Sequence, residues 1–138
     1  MPGCKLVADI MTRDPVALQE EEDLWTLQEE MHNLALHHVP VLDGKKLVGI
    51  VSQNDLLRFT TSALHRDSVH NALDAHDKRG TFVASIMSRD VLTIGPQVPV
   101  LDAARLLAGS RFTCLPVIEP DGTLLGVVTE KDVLRALL

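Results

Sequence analysis

The ten residues GIVSQNDLLR, 49–58, return 77 residues later as GVVTEKDVLR, 126–135. In both copies a glycine precedes two β-branched residues, a hydroxyl residue, two polar residues, an aspartate, two aliphatic residues and an arginine. The β-branched residues favour a strand, and Ser-x-x-Asp or Thr-x-x-Asp has the form of a capping box at a helix start. The decamer is therefore either one piece of structure used twice or one site used twice.

Two further blocks repeat at nearly the same distance. IMTRDPVAL (10–18) returns as IMSRDVLTI (86–94), and HVPVLDG (38–44) returns as CLPVIEPDG (114–122). Three blocks in the same order predict a duplicated unit. Because an open solenoid needs about three or more repeats, two copies favour a domain that closes on itself.

Each repeat predicts the order strand, helix, strand, strand, helix. The first repeat has its first helix at 20–34, with an acid-rich first turn at 20–23, and the second has it at 100–108. Prolines lie in the strands at 38–42 and 115–118, which are therefore expected at sheet edges or with bulges. Asp-Gly turns precede strands at 47–51 and 124–128, and the last helices start near Gln53 and Glu130.

The composition bounds the class of protein. The chain has 138 residues, 46% hydrophobic and 23% charged, and a net charge of −6. That charge argues against binding nucleic acid through its phosphates, and one Trp, three Phe and no Tyr give no platform for stacking bases. No apolar run reaches the ~18 residues that would span a bilayer. The N-terminus carries no secretion signal, so the two cysteines are expected to be reduced thiols in the cytoplasm.

The repeats predict a first unit at 1–59, a linker at 60–80 and a second unit at 81–138. The linker reads as a helical extension followed by a polar connector. Its possible metal ligands match no recognised ligand spacing, so a solvated connector is favoured. These residues are His65, His70, Asp74, His76 and Asp77.

The residues of the decamer permit both answers to its opening question. A capping hydroxyl stabilises a helix by ~1 kcal/mol and explains Ser52 and Thr129, but it leaves Gly49 and Gly126 unexplained. A helix N-terminus also favours phosphate, and an aspartate one turn into the helix can accept both hydroxyls of a ribose. On that reading the glycine lets a sugar or base lie against the strand.

The set IMTRDPV, HVPVLDG and GIVSQNDLL resembles the CBS domain, named from cystathionine β-synthase, here in tandem as a Bateman module. The resemblance implies a mixed α/β (α+β) fold of two strand-helix-strand-strand-helix units, packed sheet to sheet around a pseudo-two-fold axis. It implies two clefts that bind adenosine-containing ligands such as AMP, ADP, ATP or S-adenosylmethionine. Such modules commonly form homodimers and regulate a partner protein.

The resemblance also implies site residues. Asp55 and Asp132 would hold ribose hydroxyls, while Ser52 and Thr129 would contact ribose or phosphate. The segment 12–16 would contact adenine beside Asp132, and 88–91 would do so beside Asp55. His37 and His38 fit basic positions that meet phosphate, whereas the second repeat departs from the family with Thr113 and Cys114. The predicted ligand-binding residues are Thr12, Arg13, Val16, His37, His38, Ser52, Asp55, Ser88, Arg89, Val91, Thr129 and Asp132.

Several of these residues keep an alternative role. Arg13 and Arg89 either reach phosphate or pair with the acid that follows each of them. Cys114 is most simply a small buried hydrophobe. The Asp55 cleft, with two histidines, is the better candidate for a phosphate-bearing ligand.

The leading hypothesis is a non-catalytic sensor that needs no cofactor, takes an adenosine nucleotide as regulatory ligand and acts on a partner protein. A stand-alone chain is expected. The alternative is a structural dimerisation module with empty clefts, and a hydrolase using Asp55 or Asp132 comes third. No nucleophile–base pair, metal triad or phosphate-binding glycine loop is evident in the sequence.

Overall fold

A computed structural model of the chain describes residues 5–66 and 80–138, without the side chains of 61–66. The possible metal ligands of the linker therefore lie outside the described side chains. The helix that starts at Gln53 continues to Arg66, as the predicted extension requires. The boundaries of the 60–80 linker stay a prediction.

The described residues form a mixed α and β structure with two sheets, which confirms the predicted class. The helices are α1 (Val7–Ile10), α2 (Leu24–Leu34), α3 (Gln53–Arg66), α4 (Val100–Ala108) and α5 (Glu130–Leu137), with a 3-10 turn at Val83–Ser85. The strands are β1 (Thr12–Arg13), β2 (Leu18–Gln19), β3 (His38–Asp43), β4 (Lys46–Ser52), β5 (Cys114–Ile118) and β6 (Leu124–Thr129).

The chain alternates between two compact units, and neither unit is one repeat. The first unit holds 5–15, 45–47 and 91–138. The second unit holds 16–44, 48–66 and 80–90. The segment that opens each repeat therefore lies in the unit that contains the β-hairpin of the other repeat. Residues 45–47 join the first unit through backbone hydrogen bonds, 3.0 Å from Leu124 N to Lys45 O and 3.0 Å from Leu47 N to Gly122 O.

The first unit contains a three-stranded sheet in the order β1-β6-β5. Both neighbours of β6 run antiparallel to it. Beyond β5 the chain at Ile94 adds a parallel bridge to Val117. Apolar residues from α1, α4 and α5 pack with the sheet. The buried set is Val7, Met11, Ile94, Val100, Ala103, Leu107, Leu115, Val117, Val128 and Val133.

The second unit repeats this arrangement with its own sheet, ordered β2-β3-β4, in which β2 runs parallel to β3. Helix α2 buries Leu24, Leu27 and Met31, the three- and four-residue spacing that the sequence showed. The buried set is Leu18, Leu24, Leu27, Met31, Val39, Val41, Val51, Val83 and Met87.

Helix α2 begins at Leu24, so the predicted start at Glu20 and its acid-rich first turn are wrong. Gln19 belongs to β2, and the backbone N–H of Glu20 donates to Leu42 O at 3.0 Å, which ties the turn after β2 to β3 and keeps Glu20 out of the helix. Asp23 caps the helix instead, because its carboxylate accepts a 2.8 Å hydrogen bond from Thr26 N.

The two proline-bearing strands differ. Strand β5 shifts register between Val117 and Ile118, which confirms the predicted irregularity, while Ile94 bridges Val117 on its outer side. Strand β3 is the middle strand, contrary to the prediction. Leu42 O faces β2, and residues two apart in a strand face the same side, so the nitrogen of Pro40 also faces β2. Because β2 has only two residues, the hydrogen bonds between β2 and β3 do not require an N–H at Pro40.

Candidate functional site

The second unit holds a closed capping box where β4 meets α3. Ser52 N donates to Asp55 Oδ2 at 2.8 Å, and Asp55 N donates to Ser52 Oγ at 3.1 Å. These reciprocal bonds satisfy two backbone donors at the helix start. The predicted cap is confirmed, and it fixes a carboxylate one turn into α3.

The first unit builds the same junction where β6 meets α5. Thr129 N donates to Asp132 Oδ2 at 2.9 Å, and Asp132 N donates to Thr129 Oγ1 at 3.3 Å. The Thr129 hydroxyl also donates to Asp132 Oδ2 at 3.0 Å. This cap is therefore confirmed as well, with one hydrogen bond more than at Ser52.

The segments 11–16 and 87–91 are called the crossing segments, and each has residues that lie against the strand beside one cap. Ser88 exchanges two backbone hydrogen bonds with Ile50, at 2.9 and 2.8 Å. Thr12 takes the equivalent position opposite Val127 in the pairing of β1 with β6. Each unit therefore brings a capped aspartate together with the segment that the resemblance assigned to it.

The structure distributes the other predicted residues of the crossing segments unevenly. Arg13 lies in the unit of Asp132, and Arg89 lies in the unit of Asp55. Val16 and Val91 fall in the opposite units, so neither unit contains the valine predicted for its site. Both arginines are exposed. Arg13 Nη2 donates to Ala8 O at 3.3 Å, a partner that neither of its predicted roles included.

Each strand glycine faces the crossing segment. A Cβ on Gly49 would lie 2.6 Å from Met87 Sδ and 2.9 Å from Ser88 O. A Cβ on Gly126 would meet Thr12 O and would lie 3.0 Å from Met11 Sδ. The close approach that the glycines indicate is thus made by the chain itself. Sequence reasoning missed both methionines, although each stands before the same Thr/Ser-Arg-Asp sequence in the two repeats.

The two histidines lie beside the N-terminus of α3. His37 Nδ1 is 3.1 Å from Gln53 Oε1, and Gln53 N donates to His37 O at 3.0 Å. Burial lowers the pKa of His38, the proton on His37 lowers it further, and the Asp55 carboxylate opposes both effects. His38 is therefore close enough to Asp55 for their charges to interact.

In the first unit the positions equivalent to His37 and His38 hold Thr113 and Cys114, neither of which is a cation. Glu130 N donates to Thr113 O at 3.2 Å, the contact that Gln53 makes with His37. Cys114 is buried, as predicted, and burial raises the pKa of its thiol to about 11, with the Asp132 carboxylate adding to the rise. Cys114 thus stands beside Asp132 as His38 stands beside Asp55.

Arginine 58 is a contact of the Asp55 site that sequence reasoning did not assign. Its guanidinium pairs with Asp55 Oδ1, and the Asp55 side chain is only 12% exposed.

Chemically, each junction offers a carboxylate, a hydroxyl and the first turn of a helix, a set that suits a diol or a phosphate. Among the described residues no group of three His, Cys, Asp or Glu side chains could hold a metal ion. In the same part of the chain, every helix is too short or too polar to cross a bilayer.

The chain is similar to known proteins over nearly its whole length. The inosine-5'-monophosphate dehydrogenase of Korarchaeum cryptofilum is 28% identical over 129 residues, which cover 94% of this chain and 24% of that enzyme. The crystal structure of AcuB from Vibrio cholerae is 30% identical and has a TM-score of 0.80, covering 97% of this chain and 90% of AcuB. The chain therefore spans about a quarter of the first relative and most of the second.

A second similar structure contains a ligand. CBSX2, a CBS-pair protein of Arabidopsis thaliana, has a crystal structure in complex with AMP. That structure is 28% identical to this chain with a TM-score of 0.79, covering 96% of this chain and 95% of CBSX2. The CBS domain model matches residues 7–61 and 83–138, one match for each repeat. The chain belongs to the CBS domain family and carries two copies of the domain in tandem.

Proposed function

We propose that this chain is a regulatory module that binds an adenosine-containing nucleotide at one or both capped junctions. The observation that carries the proposal is the same arrangement built twice, a capped aspartate beside a crossing segment. The AMP complex of CBSX2 supports the class of ligand. Binding at the first turn of a helix is favoured for an anion by the helix dipole and the free N–H groups.

In this proposal the two aspartates, Asp55 and Asp132, hold the ribose hydroxyls. Ser52 and Thr129 contact ribose or phosphate, and His37 and His38 favour phosphate at the Asp55 site. The crossing segments supply contacts to adenine. Their proposed residues are Thr12, Arg13, Ser88 and Arg89, and the proposal extends to Val16 and Val91, which belong to the opposite units.

We also propose that the chain has no catalysis of its own and acts on a partner protein through its ligand. In support, both aspartates are engaged in helix caps, and the enzyme relative devotes 24% of its length to this region. Asp132→Asn separates three outcomes. A sensor loses ligand affinity, a structural module loses only cap stability, and an enzyme loses turnover.

Thermal unfolding against AMP, ADP, ATP, S-adenosylmethionine and NAD, with GTP as control, tests the proposal. A ligand at ~100 times its dissociation constant stabilises the chain by ~2.7 kcal/mol, or several degrees. The shift should fall in Asp55→Ala or Asp132→Ala, each measured against its own ligand-free Tm. Asp102→Ala, which removes an exposed acid of α4, should keep the full shift.

The alternative is a structural module whose sites bind nothing. Two observations favour it, since the caps are complete without ligand and the glycines are already covered by the crossing segments. No shift with any ligand would reject the sensor and support this alternative. A homodimer and a cytoplasmic location stay predictions, and light scattering on the purified chain would test the dimer.

A further inference from the structure

The two proposed ribose acids differ in which oxygen is free. Asp55 Oδ2 accepts the backbone N–H of Ser52, and Asp55 Oδ1 pairs with Arg58. Asp132 takes both of its bonds from Thr129 on Oδ2. Asp132 Oδ1 accepts no hydrogen bond from any residue that the structure describes.

This difference arises although both aspartates and both arginines occupy the same positions of the repeated decamer. Arg58 and Arg135 both lie three residues after their aspartate in the repeated decamer. Arg58 stands within the 14-residue helix α3, one turn from Asp55. Arg135 stands in the last turn of the eight-residue helix α5, where the negative end of the dipole favours a cation. In addition, the second hydrogen bond from Thr129 shares the charge of Asp132, which weakens its pull on an arginine.

The free oxygen is the one that a ribose diol would use. Oδ2 of each aspartate already accepts a backbone N–H at the cap, so Oδ1 is the oxygen with more capacity for a hydroxyl donor. At Asp132 that oxygen has no donor among the described residues, whereas at Asp55 it pairs with the guanidinium of Arg58. The Arg58 side chain is 76% exposed, so it can leave at a small cost.

We infer that Arg58 competes with the ligand for Asp55, so that the nucleoside part of the ligand fills the Asp132 site first. This inference rests on the proposed function, because both acids must bind ribose. Arg58 is then the residue that makes the affinity for the nucleoside lower at the Asp55 site than at the otherwise similar Asp132 site. Phosphate can still favour the Asp55 site through its histidines, so the ranking concerns the nucleoside alone.

Calorimetric titration with adenosine, a neutral probe without phosphate, tests the inference. Asp132→Ala leaves only the Asp55 site, and adding Arg58→Ala to that variant should tighten adenosine binding about two- to fivefold, the range of an exposed ion pair. The matched control is Arg135→Ala in an Asp55→Ala background, where adenosine affinity should not change. Circular dichroism of each variant shows that it is folded.

Salt gives a second readout that a merely structural role of Arg58 would not produce. Because adenosine is neutral, screening the Arg58–Asp55 pair should strengthen adenosine binding to Asp132→Ala as salt rises. That gain should vanish when Arg58→Ala is added. Equal or weaker binding after Arg58→Ala overturns the inference.

The remaining outcomes separate this inference from the proposed function. A wild-type chain that binds AMP but not adenosine overturns the inference and leaves the proposed function standing. A wild-type chain that binds neither compound, nor any other adenosine ligand, rejects both.

Discussion

Gly49 packs against the backbone of Ser88, so that a Cβ at position 49 would come 2.9 Å from the Ser88 carbonyl oxygen. The two residues lie 39 positions apart in the chain, and they meet because Ser88 pairs with Ile50 in an antiparallel bridge. Gly126 repeats the relationship with Thr12. The repeated glycine is therefore a requirement of the fold at the place where a ligand is proposed to bind.

Alanine at either glycine should destabilise the chain. The contact partners include backbone carbonyl oxygens, which cannot move aside without shifting the crossing segment, so overpacking by ~1–3 kcal/mol is expected. Urea unfolding of Gly49→Ala and Gly126→Ala measures the loss. Gly95→Ala is the matched control, because its Cβ would come no closer than 3.9 Å to Val98 Cγ2. Wild-type stability in either site variant would contradict the observed packing.

Removing a capping hydroxyl should cost about 0.5–2 kcal/mol in the absence of ligand. Thr129→Ala should cost more than Ser52→Ala, because the Thr129 hydroxyl both accepts from Asp132 N and donates to Asp132 Oδ2. Thermal unfolding reports the difference, at roughly 3–5 °C per kcal/mol for a chain of this size. Thr129→Ser keeps the hydroxyl and should stay close to wild type. Equal losses in the two alanine variants would show that the extra hydrogen bond contributes nothing.

Local signals predicted the parts of the fold that local chemistry controls. Helix α4 has the predicted bounds, with Pro99 as its N-cap and Gly109 as its C-cap. The caps at Ser52 and Thr129 were predicted for the same reason, since their partners lie three residues away. The start of α2 was missed because a long-range hydrogen bond from Glu20 N to Leu42 O ties the turn after β2 to β3.

The candidate site was predictable only in part. The resemblance supplied the pairing of each crossing segment with the opposite decamer, which no local pattern contains. Arg58 and Arg135 occupy equal positions in the two copies of the decamer, yet only Arg58 pairs with its aspartate among the described contacts. The difference depends on the length of the helix and on the hydroxyl of one threonine, and the repeated motif specifies neither of these.

Stability should fall on acidification through the titration of His38. Burial holds the pKa of His38 below its unfolded value of 6.5, so the unfolded chain binds the proton more readily than the folded chain. The stability contributed by neutral His38 is present above pH 6.5 and is lost as the pH falls from there through the lowered pKa. His38→Gln should therefore show a shallower fall in Tm between pH 7.5 and 5.5. His32→Gln, at an exposed position of α2, is the control and should follow wild type.

The same histidine predicts the opposite trend for binding. A phosphate beside His38 favours its protonated form, so AMP affinity at the Asp55 site should rise as the pH falls toward 6. Titration of AMP at several pH values into Asp132→Ala, with and without His38→Gln, measures this trend, because the phosphate of AMP also titrates near pH 6 and does so equally in both variants. AMP affinity that stays constant or decreases as the pH is lowered, in the same way with and without His38, would remove His38 from the proposed phosphate contact.

Cys114 should be unreactive in the folded chain despite being a free thiol. Its pKa of about 11 leaves roughly one molecule in a thousand as thiolate at pH 8, and burial blocks access to the sulfur. A Cys4→Ser variant makes Cys114 the only cysteine, so the rate of reaction with a disulfide reagent reports this thiol alone. The rate should be far below that of the same variant in urea.

The rate at which Cys114 reacts with the disulfide reagent should also report ligand binding at Asp132. Cys114 stands beside Asp132, so a nucleotide held there should oppose the opening that exposes the thiol. AMP should slow the reaction in Cys4→Ser and should leave it unchanged once Asp132→Ala is added. Reaction in the folded chain as fast as in urea would contradict the burial of Cys114. Slowing by AMP that survives Asp132→Ala would place the nucleotide elsewhere.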